Sequence, residues 1–141
     1  MQYIEGNIID VHRREIYPGT ISINFGKIVS INRNSKKYTH YISPGFIDAH
    51  VHIESSMLIP EEFSKLAICR GTIAIINDPH EIANVMGVEG IDYMIENSKR
   101  SAIKSFFTIP SCVPATPYDS AGSVLLSSEI EKLVNDHDFV G

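Results

Sequence analysis

Three times along this chain an apolar, β-branched run ends in polar or titratable residues and gives way to a helical pattern. The runs are Phe46 to Ile53 before Glu54-Ser55-Ser56, Thr72 to Ile76 before Asn77-Asp78-Pro79-His80-Glu81, and Ser105 to Ile109 before Pro110-Ser111-Cys112. Continuous runs of this kind read as parallel strands covered on both faces, and strands alternating with helices predict βαβ units. Pro60 at a favoured first helical position, with Glu61 and Glu62 behind it, predicts a helix to about Arg70 closed by Gly71. The next helix runs to about Arg100 with a break near Gly87 and Gly90. Ser128-Glu129-Ile130-Glu131 has capping-box spacing, and Asp138-Phe139-Val140-Gly141 reads as the start of a fourth strand. A closed eight-stranded barrel takes about 250 residues, and roughly a hundred follow residue 43, so fewer than half its units are expected.

Residues 1 to 43 differ in texture. Tyr3 to Val11 and Gly19 to Phe25 are strand-like, Tyr17-Pro18-Gly19 is a turn signal, and Gly26-Lys27 permits a hairpin into Ile28 to Ile31. Asn32 to Lys37 is a polar connector, and His12 and His40 read as surface or structural histidines. The chain thus divides into a small β unit over 1–43 and an α/β part over 44–141.

The first α/β strand carries the chemistry. Side chains alternate along a strand, so Asp48, His50 and His52 share one face while Ile47, Ala49, Val51 and Ile53 share the other. Two imidazoles two residues apart point the same way and can hold one cation; the plain alternative is two strand histidines making ordinary hydrogen bonds. Asp78 reads either as a helix cap or as a support behind a ligand. For His80-Glu81 the alternative is a helix start with an acid in its first turn, and for Glu54 a solvated loop acid. Cys69 reads as core in an amphipathic helix, and Cys112 as a buried small hydrophobe rather than a nucleophile.

Bulk properties exclude several classes. Twelve Lys+Arg against 17 Asp+Glu give a formal charge of -5, and no basic block suggests nucleic acid. No apolar run approaches the ~20 residues of a membrane span, nor is there a leader pattern, and two cysteines are too few for a disulfide framework. A cytoplasmic protein is expected.

Pro44-Gly45-Phe46-Ile47-Asp48-Ala49-His50-Val51-His52 resembles the entry to the first barrel strand of the amidohydrolase superfamily. Together with His50 to Met57, Asp78 to Val85 and Pro110 to Pro117, it is similar to the bacterial and archaeal adenine deaminases of that superfamily. The resemblance implies the N-terminal part of a (β/α)8 metallo-hydrolase barrel, incomplete in this chain, preceded by part of a small β-sandwich domain. On this basis 44–141 would hold the first three βα units and the start of the fourth strand. It implies a binuclear site with manganese or iron, zinc being the superfamily's other common metal, and hydrolysis of adenine to hypoxanthine and ammonia. His50 and His52 match the family's first-strand ligands, and His80, Glu81, Asp78, Glu54 and Ser111 would serve the substrate, an auxiliary metal or the ligands from behind. The remaining ligands and the proton-transferring base are expected beyond residue 141, so a longer or complemented enzyme, with a C-terminal chain or a homo-oligomer as partner, is expected. The competing readings are a dihydroorotase- or allantoinase-like cyclic-amide hydrolase, disfavoured by Glu54 where those families place an arginine, and an inactive truncated fragment.

Overall fold

The computed structural model describes residues 1–141, which form two compact units, Met1–Pro44 and Gly45–Gly141. The first is a four-stranded sheet of β1 (Gln2–Asp10), β2 (Glu15–Asn24), β3 (Lys27–Arg33) and β4 (Tyr41–Ile42), in the order β3-β2-β1-β4. The β1/β2 and β2/β3 pairs are antiparallel, and β4 runs parallel to β1. Ile8 and Ile21 are buried in this unit. The β2–β3 hairpin turns at Phe25-Gly26, both at positive φ (48° and 73°), the twist a two-residue hairpin requires.

The turn expected at Tyr17-Pro18-Gly19 is instead inside β2. The chain reverses earlier, at residues 11–14, because the Asp10 carboxylate accepts the His12 and Arg13 amides at 3.1 and 2.9 Å and Arg14 takes φ 56°. Pro18 is tolerated because the ladder to β3 begins only at Gly19↔Arg33, beyond the residue that lacks a donor.

The second unit alternates strand and helix. β5 (Phe46–Val51), β6 (Thr72–Asn77) and β7 (Lys104–Phe107) make a parallel sheet in the order β5-β6-β7, joined through α1 (Pro60–Ile68) and a long α2 (His80–Ser98). α3 (Ser127–Asp136) follows the loop after β7. Val140 then donates to Phe107 O at 2.9 Å and Ile109 to Gly141 O at 2.8 Å, so the last residues lie alongside β7. Two hydrophobic clusters form the core of this unit. One gathers Ile53, Ile75, Met94, Ile103 and Phe107; the other gathers Ala83, Ile91, Val113, Leu125 and Leu133.

α2 kinks at Gly87 (φ 62°, ψ −140°) while Gly90 stays helical. The kink frees the Asn84 carbonyl, which accepts the Gly122 and Ser123 amides at 2.7 and 3.1 Å and fastens the loop after β7 to the helix. The capping box is displaced: α3 begins at Ser127, so Glu129 occupies the third helical position and its carboxylate takes the Leu126 amide at 2.8 Å. Three further expectations are corrected. β5 is not covered on both faces: it is the sheet's edge strand, and Phe46 and Ile47 are each 63% exposed. Cys69, at the end of α1, and Cys112, in the loop after β7, are both exposed rather than core. No helix is long and apolar enough to cross a membrane.

Candidate metal centre

The site forms where β5 and β6 stop. In register, Val51 pairs with Asn77, and the Asp78 amide donates to Val51 O at 2.9 Å, so the residues just past each strand are neighbours. After β5 the chain tightens into a 3-10 turn, Ile53–Ser56, and after β6 it enters α2 through Pro79. The turn is anchored by the wholly buried Ile53 side chain and by its amide, which donates to the buried Asn77 Oδ1 at 3.0 Å.

His50, His52 and Asp78 converge here, with one donor atom from each within 4.8 Å of the others. His52 Nδ1 lies 2.8 Å from the Asp78 carbonyl oxygen, which can only accept, so the ring proton sits on Nδ1 and the Nε2 lone pair is left free. His50 Nε2 lies 3.1 Å from His52 Nε2. Two imidazole nitrogens each ~2.1 Å from one ion stand about 3.0 Å apart at a right angle and about 3.4 Å apart at the tetrahedral angle, so this spacing suits shared ligation.

Around this pair are acids. The His80 ring packs edge-on against His52 with centroids 4.8 Å apart, and His80 Nδ1 is 3.5 Å from Asp78 Oδ2. Ser55 donates to Glu81 Oε1 at 2.7 Å, and Glu81 Oε2 is 3.5 Å from His52 Nδ1. Glu54 Oε1 accepts the Ile82 amide at 3.2 Å. Burial pushes the Glu54 carboxyl above its ordinary range and the nearby Glu81 adds to the rise, while amide donors and His52 oppose it. One oxygen each of Asp78, Glu81 and Glu54 is buried without a hydrogen-bond partner. Buried carboxylate oxygens are costly unless positive charge compensates them, so the donor set and its surroundings fit a divalent cation.

Asp78 does not cap α2, whose N-cap is Pro79; its carbonyl stands behind the His52 ring, and its carboxylate comes within reach of the two imidazoles. Ser111 is not part of this cluster: exposed on the loop after β7, it lines a separate cavity of about 410 Å³ with Val113, Pro114, Asp119 and Leu125. Asn77 and Ser55 receive no role from the sequence beyond ending their strands, and no spacing signal marks one, since both act across a strand pair.

Residues 41–139 match the model of the amidohydrolase family. The chain is 50% identical over 138 residues to an adenine deaminase of Methanosarcina barkeri, covering 98% of this chain and 25% of that protein. It is likewise 50% identical over 137 residues to an adenine deaminase of Borreliella afzelii, covering 96% and 25%. It therefore spans about a quarter of the length of the curated relatives it matches. Among solved structures, the zinc complex of atrazine chlorohydrolase TrzN from Arthrobacter aurescens TC1 superposes over 100% of this chain and 44% of that one, with TM-score 0.60 at 15% identity, a likeness of fold. With a family match over residues 41–139, a shared fold and two histidines with an aspartate converging at the strand ends, the chain belongs to the amidohydrolase family.

Proposed function

We propose that this chain is the metal-binding first part of an adenine deaminase, which hydrolyses adenine to hypoxanthine and ammonia. On this reading residues 44–141 are the opening βα units of a (β/α)8 barrel and 1–43 part of a small β-sandwich domain, further polypeptide or another subunit supplying the remaining strands and the proton-transferring base. The observation that carries it is the convergence of His50, His52 and Asp78 at the carboxyl ends of parallel strands, where barrels of this type keep their sites. The half-identical relatives named for adenine deamination supply the substrate class.

His50 and His52 would hold the cation through Nε2, with Asp78 beside them; manganese or iron is the favoured ion and zinc the alternative. A divalent cation at such a site supplies an activated water near neutral pH and Lewis acidity. The chain's own residues prepare the place. The Asp78 carbonyl keeps the His52 proton on Nδ1, Asn77 fixes the turn between His52 and Glu54, and the carboxylates of Glu54 and Glu81 offset positive charge. His80, edge-on to His52, would face the substrate on this reading. In the overall reaction a C–O bond forms at the purine C6, the C–N bond to the exocyclic nitrogen breaks, and ammonia leaves with the transferred protons. Two exposed, unpaired cysteines suit a reducing cytoplasm.

The test is adenine hydrolysis by the complete gene product supplied with Mn²⁺, followed by ultraviolet absorbance and ammonia release. Activity abolished by chelator and by His50→Ala or His52→Ala is expected, and residues 1–141 alone should be inactive. Undiminished turnover by His52→Ala would overturn the proposal.

A further inference from the structure

Two side-chain hydrogen bonds tie the 3-10 turn after β5 to the first turn of α2. Glu54 Oε1 accepts the Ile82 amide, and the Ser55 hydroxyl donates to Glu81 Oε1 at 2.7 Å. The second bond has the larger consequence. A carboxylate is rigid, so holding one oxygen leaves the other little freedom. The free oxygen, Glu81 Oε2, is the one buried without a donor, 3.5 Å from the proton-bearing Nδ1 of His52. That distance exceeds an ordinary hydrogen bond, and the His52 proton already serves the Asp78 carbonyl. Its effect is therefore through charge.

We infer that Ser55 is a positioning residue, which pins one Glu81 oxygen so that the other stands behind the His52 ring. A negative group on the Nδ1 side of an imidazole strengthens Nε2 as a donor. Without the pin Glu81 has every reason to leave. Its side chain is already 41% exposed, three torsions connect it to α2, and rotation outward hydrates an oxygen that is buried and unpartnered. Water then replaces protein as the partner of both oxygens, and His52 loses the negative charge behind it. Threonine carries the same hydroxyl, alanine does not, and glutamine at 81 keeps the acceptor but removes the charge. The inference rests on the reading of His50 and His52 as cation ligands, and the experiment separates the two.

Co²⁺ is titrated into the full chain, with affinity and visible ligand-field absorption read together and folding followed by far-ultraviolet circular dichroism. Ser55→Ala is expected to bind roughly tenfold more weakly with a shifted absorption band, while Ser55→Thr stays within about twofold of the parent. Glu81→Gln should reproduce Ser55→Ala, and the double variant should be no worse than either. His50→Ala/His52→Ala should abolish the band. An unchanged affinity and band in Ser55→Ala, with the histidine variant silent, overturns the role of Ser55 and leaves the cation site standing. A band that survives in the histidine variant overturns both. Should Ser55→Ala fail to fold, Glu81→Gln decides: tenfold weakening supports the inference and parental binding refutes it.

Discussion

Ile53 sits between His52 and Glu54 and is wholly buried against Ile75, Met94, Ile103 and Phe107, so the packing of one side chain holds the turn that presents the site. Ile53→Val removes one buried methylene, about 0.8 kcal/mol of transfer energy, and the cavity left behind brings the expected loss to about 1–1.5 kcal/mol. Ile53→Ala removes three carbons, and the same reasoning gives about 4 kcal/mol. Neither change touches the Ile53 amide bond to Asn77, so the loss reports packing alone. For a unit of this size each kcal/mol lowers the melting temperature by about 4–8 °C, and urea unfolding followed by far-ultraviolet circular dichroism gives the energies directly. A cost for Ile53→Ala below about 1 kcal/mol would refute the placement of Ile53 at the closed centre of the cluster.

Gly87→Ala should cost about 1–3 kcal/mol for a backbone region that only glycine enters freely, and more from the Ser123 hydroxyl, which the new carbon would strike. Adding Ser123→Gly should recover the steric part only, as read by denaturant midpoints. Saturating Zn²⁺ or Mn²⁺ at a hundred times its dissociation constant should stabilise the parent by about 2.7 kcal/mol in thermal melts and leave His50→Ala/His52→Ala unmoved. In the first unit, Lys36 beside Glu5 holds that carboxyl below its usual range, and Glu5 holds the Lys36 ammonium above its own. The Glu5 contribution is present above the unfolded carboxyl's pKa and fades as pH falls through the lowered one. The Lys36 contribution is present below the unfolded amine's pKa and fades as pH rises through the raised one. Lys36→Met should flatten both limbs of a pH–stability curve; unchanged limbs would sink this account.

Much of the second unit could be read directly because each strand is a dense apolar run and each helix has local punctuation: Pro60 opens α1, Gly71 follows it, and Gly87 breaks α2. His50 and His52 were visible because their two-residue spacing alone puts them on one face. The closeness of Asp78 to this pair was legible only through the family resemblance, since its approach to His52 depends on the Val51↔Asn77 register, which no local pattern encodes. Asn77 and Ser55 escaped for the same reason: each bonds a partner more than twenty positions away. The exposure of β5 was missed because a β-branched run states what a strand could bury, not how many neighbours it has. In the β unit, Pro18-Gly19 mimicked a turn that the Asp10 carboxylate had already made upstream.

The acceptor that fixes the His52 tautomer is a main-chain oxygen, at residue 78. No codon change at that position can delete it, because every amino acid brings the same carbonyl. Drift or saturation mutagenesis at 78 can strip away the carboxylate and still leave the imidazole presenting Nε2. Proton placement and charge at one residue are thus inherited separately: the first persists with the strand register, and only the second is exposed to point mutation.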